Sequence, residues 1–180
     1  LAIIGGSGLY NIEGLSNVES LKIKTPWGDP SDELTKALFK SKEVIFLPRH
    51  GRGHFISPTK INFRANIDAL KQLGVTDIVS ISAVGSLKED LEPGMFVIVD
   101  QFIDRTFARN KTFFDEDIVA HVSMAKPTSE GLMNACEESI KSENIQYKRG
   151  ATYLVMEGPQ FSTLAAVSYT HLTLPTTNSV

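Results

Sequence analysis

A single cysteine, Cys136, leaves the chain unable to close an intrachain disulfide, which fits a reducing cytoplasm. No apolar run approaches the roughly 18 residues of a membrane span. Basic residues are not in surplus: 18 Lys and Arg stand against 21 Asp and Glu, a formal charge of −3. That balance argues against nonspecific nucleic-acid binding, which relies on a basic face. It leaves room for a locally positive pocket that takes a small anion. The opening residues are strand-like and carry no basic leader, so no secretory signal is expected. Internal repeats and interdomain linkers are missing too. What remains is 42% apolar and 22% charged over 180 residues, the composition of one ordinary globular domain able to bury a core.

Short apolar runs alternate with helical patterns. Strands are expected at Leu1–Ile4, Val44–Pro48, Asp77–Ala83, Met95–Asp100 and Ala151–Met156. Asn62 is placed to cap a helix running to about Leu73, with Ile67, Leu70 and Leu73 on its buried face and Gly74 as its stop. A second helix is expected from Ser129 to Glu143, burying Leu132, Ala135, Cys136 and Ile140. This order reads as an α/β domain around a largely parallel sheet.

Four stretches carry possible chemistry. The first is LAIIGGSGLY, an apolar strand running into Gly5-Gly6-Ser7-Gly8. A dinucleotide fingerprint fails there because Asn11 stands where the third glycine is required, and no Lys-Ser/Thr comes after it to make a P-loop. A tight turn and an anion cradle of backbone N–H groups both remain open. The second is VIFLPRHGRGH, where Arg49 and His50 come directly after a strand end. Arginine grips phosphate through a planar fork and histidine can donate to a third oxygen; a solvated basic loop is the plain alternative. In DIVSISAVGSL, small residues and the Ser82 hydroxyl again offer donors at a strand end, or merely a turn. In MEGPQFST, Glu157 could accept from sugar hydroxyls or cap a helix, and Phe161 could stack on a planar base or sit in the core. Zinc-ligand spacing and a G-x-S-x-G nucleophile elbow are both lacking, and Cys136 falls on a presumed buried helix face.

Taken together and in order, GGSGL, PRHGRGH, the run from ISAVGSL to DQFIDRT, HVSMAKP and MEGPQFST resemble the purine nucleoside and methylthioadenosine phosphorylases, and most of all the methylthioadenosine branch. The resemblance covers Ala2 to Thr163. It implies an α/β fold with a mixed central sheet flanked by helices, usually assembled as a trimer. The implied enzyme is a pentosyltransferase of purine and methionine salvage that cleaves a purine nucleoside with phosphate to the free base and a ribose 1-phosphate. It would need no metal or organic cofactor, phosphate being a co-substrate. By the same resemblance Ser7, Arg49, His50, Ser82 and Ala83 bind phosphate. Phe161 lines the base site, Ser162 neighbours it, and His121 reaches the 5′-substituent pocket of an adjacent subunit.

Past Thr163 the chain departs from that pattern. The family's ribose-contacting Met and base-protonating Asp positions find no match, so the catalytic acid is expected beyond the chain end. Leu164–Val180 holds no charged residue of either sign and four threonines, without helical or strand period. Residues 1–163 are therefore expected to be the N-terminal part of a phosphorylase domain, and 164–180 a non-native tail. The fragment itself is expected to be inactive. Two other readings stay open: a 6-oxopurine nucleoside phosphorylase of the same fold, and an inactive phosphate-binding or assembly module.

Overall fold

The apolar opening folds as β1 (Ala2–Gly5), flanked in the main sheet by two strands running parallel to it, β4 (Lys42–Pro48) and β5 (Ile78–Ser80). In this computed structural model residues 1–6, 12–114 and 116–169 are described. The sheet continues beyond β4 with β3 (Leu34–Phe39) and β2 (Leu15–Leu21), both antiparallel to their neighbours, in the order β2-β3-β4-β1-β5. The central sheet is thus mixed, and the largely parallel sheet read from the pattern alone is corrected by the β2–β3–β4 meander.

Alternation along β4 builds the core on both faces of the sheet. Ile45 and Leu47 turn to one side, where they meet Ala2 and Leu34 and the Ala69 and Leu70 face of α1 (Phe63–Gln72). Val44 and Phe46 turn to the other, against Ala37 with Ile3, Ile12 and Phe39. Helix α1 starts where expected: the Asn62 side chain accepts from the Ala65 N–H at 3.1 Å. Its buried face, however, is Ala65, Asn66, Ala69 and Leu70, and Ile67 lies 39% exposed. Leu70 and Leu73 pack on the sheet core as expected, with the small Ala69 beside them.

The second half of the chain is built from short pieces. β6 (Phe96–Ile98) pairs in parallel with β8 (Tyr147–Arg149), and β7 (Gln101–Asp104) pairs in parallel with β9 (Thr152–Val155). α2 (Glu130–Ser142) is capped by Ser129, whose hydroxyl accepts from the Leu132 N–H. None of its residues is buried: Leu132, Cys136 and Ile140 are half-buried and Ala135 is exposed, so the burial expected of that face is not met. Of the uncharged final segment, Leu164–Tyr169 forms a short helix, α3, where no period had been expected; 170–180 lie outside the described residues.

Candidate functional site

Parallel strands carry their carboxyl ends to one edge of a sheet, and β4, β1 and β5 lie side by side with theirs together. The chain leaving β4 stays in the sheet for one more bond, Arg49 N–H donating to Gly5 O at 3.4 Å. The Arg49 side chain then reaches across the end of β1, and its Nη1 donates to Ile81 O at 2.9 Å, one residue before Ser82. Ile81 is itself held by its N–H on Ile4 O at 2.9 Å. Strands two places apart in a sheet, as β4 and β5 are, lie roughly 10 Å from each other, a span that arginine covers and shorter side chains do not. Gly5 and Gly6, Arg49 and His50, and Ser82 and Ala83 are therefore neighbours in the fold, although more than thirty residues separate each group from the next.

Arg49 is half-buried and makes no ion pair with a carboxylate among the described residues. Its neighbour Arg52 does: its N–H and Nη1 both bond Asp32, at 2.6 and 3.3 Å, and its Nη2 donates to Thr35 Oγ1. The loop's two arginines thus divide. Arg52 is tied back to the β3 side, and Arg49 meets no carboxylate among the described residues at the strand ends. Gly51 between them has φ +72° and packs so near the Phe55 ring that an added Cβ would stand 2.8 Å from it. The backbone conformation favours glycine there, while the exposed Phe55 ring could move aside.

His50 is half-buried, its ring stacked on His54 at 4.5 Å between centroids. Its Nδ1 lies 2.8 Å from Ile56 O, and its Nε2 accepts from Arg49 Nε at 3.2 Å. Burial holds its pKa below the ordinary 6.5; the bond to Ile56 O opposes this, and the charges of Arg49 and His54 add to the depression.

Ser82 and Ala83 are exposed, beyond a β5 that ends at Ser80 rather than at Ala83 as expected. The Ser82 hydroxyl has no partner among the described residues, which leaves it free to donate. Ser7 lies outside the described residues. Phe161 is 96% exposed in this chain. Ser162 directs its hydroxyl to Met156 Sδ at 3.1 Å, and His121 is exposed in the stretch between β7 and α2. None of these last three is brought to the strand-end cluster by a hydrogen bond within the described residues.

Glu157 takes neither of the roles its sequence context offers. It is 9% exposed and both its oxygens are filled: Oε1 accepts from Thr59 Oγ1 and Arg109 Nε, Oε2 from the N–H groups of Phe107 and Ala108. Those bonds, the two backbone N–H groups first, pull its pKa down to about 2. Arg109 also donates to Glu157 O and lies over the Phe63 ring. The cluster fastens the segments after β7 and β9 to the start of α1. Sequence reading missed it because it depends on β7 and β9 pairing in parallel, which brings the segments leaving their carboxyl ends to the same edge.

An open cleft of about 300 Å³ lies beside this brace, lined by Phe63, Phe102, Asp104, Thr106, Arg109, Asn110, Lys111 and Val155. None of the strand-end residues lines it, and its Asp104 is already paired with Lys111 at 2.9 Å. The cationic strand ends therefore lie apart from this cleft. Among the described residues no group of three or more His, Cys, Asp or Glu is placed to hold a metal.

Comparison with known proteins bears on the family and the fold. The family described as the phosphorylase superfamily matches residues 1–176. S-methyl-5′-thioadenosine phosphorylase of Rhodospirillum rubrum is 58% identical over 165 residues, 92% of this chain and 56% of the relative. The enzyme of the same name from Saccharolobus solfataricus is 53% identical, again over 92% of this chain and 61% of its own length. Among solved structures, a methylthioadenosine phosphorylase sourced from an Antarctic soil metagenomic library superposes with a TM-score of 0.92 at 48% identity, over 94% of this chain and 60% of that one. Methylthioadenosine phosphorylase from Schistosoma mansoni in complex with adenine gives a TM-score of 0.88 at 33% identity, over 94% and 69%. The chain spans little more than half the length of the curated relatives it matches.

Proposed function

The chain belongs to the phosphorylase superfamily, and from that premise we propose that the protein it comes from is a pentosyltransferase acting on S-methyl-5′-thioadenosine. The reaction uses phosphate to break the bond between sugar and purine, yielding adenine and 5-methylthioribose 1-phosphate, a step of methionine and purine salvage. The carrying observation is Arg49 spanning the ends of β4, β1 and β5 without a carboxylate partner among the described residues. The names of the most similar relatives support the choice of nucleoside.

Cleavage develops positive charge on the sugar ring, so catalysis rests on holding an anionic nucleophile close to the anomeric carbon. In this reading the Arg49 guanidinium, the Ser82 hydroxyl, the Ala83 N–H and the Ser7 hydroxyl orient the phosphate, with His50 beside it. Donors fixed by strands need no rearrangement as the charge moves. Phosphate itself attacks, so no side-chain nucleophile, metal or organic cofactor enters the scheme. Phe161 and Ser162 face the nucleoside, and exposed His121 acts in the site of an adjacent copy within a homotrimer. The setting is cytoplasmic; no helix among the described residues is long and apolar enough to cross a membrane.

The test is chromatographic. Full-length protein incubated with S-methyl-5′-thioadenosine should release adenine only when inorganic phosphate is added, with 5-methylthioribose 1-phosphate in equal amount. Adenine release without phosphate, or none with it, contradicts the proposal.

A further inference from the structure

The partners of His50 fix its hydrogen-bonding character. A carbonyl oxygen only accepts, so Nδ1 facing Ile56 O at 2.8 Å carries the ring proton. A guanidinium N–H only donates, so Nε2 facing Arg49 Nε at 3.2 Å is a bare lone pair. The groups around the ring are Arg49, His54 stacked at 4.5 Å and Ile56 O, and no carboxylate among the described residues pairs with it. Burial and the neighbouring Arg49 and His54 favour the neutral ring over the imidazolium, against the opposing pull of Ile56 O. His50 therefore brings no N–H to an anion at the strand ends.

An anion that takes the Arg49 Nε–H deprives Nε2 of its donor. His50 is half-buried, and its lone pair then calls for another donor. The nearest source is the anion, provided it carries a hydroxyl. Resting on the phosphate reading above, we propose that His50 accepts a hydrogen bond from the anion's own P–OH, so that the site selects a protonated oxyanion over sulfate of the same charge and shape. The bond also settles which oxygens of monohydrogen phosphate are left to attack: the protonated one points at the histidine and a bare one is free to face the sugar. A pocket built around a substrate hydroxyl rejects the analogue that lacks it, because a polar group is then left unpaired.

Calorimetric titration of the full-length protein separates the outcomes. The probes are phosphate, arsenate and sulfate at a mildly alkaline pH, where all three are largely dianions and only sulfate has no proton. Phosphate and arsenate should bind about tenfold or more tighter than sulfate, and His50→Leu should bring that ratio close to one. The ratio is taken within one preparation, so partial misfolding of the variant does not move it. Sulfate binding as tightly as phosphate, arsenate siding with sulfate, or a ratio unchanged in His50→Leu each overturns the inference alone. Absence of binding by all three overturns the phosphate site and this inference together.

Discussion

Glu157 shows how a residue beside a candidate site can be committed elsewhere. Four donors converge on its carboxylate, two of them backbone N–H groups with no other carboxylate to turn to. Its pKa of about 2 lies below the ordinary 4.5, so its contribution to stability is whole above pH 4.5 and is lost as pH falls toward 2. Glu157→Gln places an amide against those donors and should lower the urea midpoint at neutral pH. Because the wild-type advantage comes from the ionised form, the gap between the two proteins should narrow on acidification through that window. Asp104 and Glu137 titrate in the same range but are common to both proteins. A gap that stays constant with pH would mean the charge plays no part.

At the scale of elements, α1 offers the sharpest contrast. Leu70 is 1% exposed in the core against Ile45 and Leu47, and Ile67, one turn earlier, is 39% exposed. Leu70→Ala should cost about 2–5 kcal/mol in chemical denaturation, as core truncations do. Ile67→Ala should cost about 0.5–1 kcal/mol. Comparable losses would mean the helix is rotated from the face described. Asn62 caps the same helix and also donates through Nδ2 to Trp27 O at 2.8 Å, joining the β2–β3 connection to the helix start. Asn62→Ala should therefore lose about 1–2 kcal/mol, the upper part of the capping range.

Elements with a local cause were legible before any coordinates. Asn62, Ser129 and Gly74 mark helix ends through their own side chains or backbone freedom, and β1, β4 and β9 are apolar runs found within two residues of where they were expected. The β3–β4 hairpin was not legible. It turns on Lys40-Ser41, both at positive φ (46° and 67°), where a sequence reading looks for Asn-Gly. β2 was hidden by the irregular register between Ser16 and Glu19, with Asn17 at φ 50°, which breaks its alternation. β7 was not expected at all, since the strand read at Met95–Asp100 stops just short of it.

Across the whole molecule the two halves differ in how much they bury. Among the described residues, ten of the eleven that form the buried hydrophobic core, all but Ala2, fall between Leu34 and Leu70. Phe102, Phe107, Val119, Val122, Phe161 and Leu164 in the second half are between 42% and 87% exposed or, for Phe161, 96%. The strand-end cluster belongs to the well-packed half, and that is why its geometry comes from parallel pairing alone. Residues 49, 50, 82 and 83 were identifiable because each lies where an apolar run gives way to small or cationic residues. Their common address was not, since it depends on the order β4-β1-β5. The division of labour between Arg49 and Arg52 was invisible as well, because it rests on Asp32, seventeen residues ahead of Arg49.

In the proposed site Arg49 is the cation that receives phosphate. The decisive measurement is the KM for phosphate at saturating S-methyl-5′-thioadenosine in the full-length protein and its Arg49→Ala variant. Loss of a charge-assisted bond predicts a rise of about tenfold or more. A KM equal to that of the unsubstituted protein would place the anion elsewhere and contradict the site described.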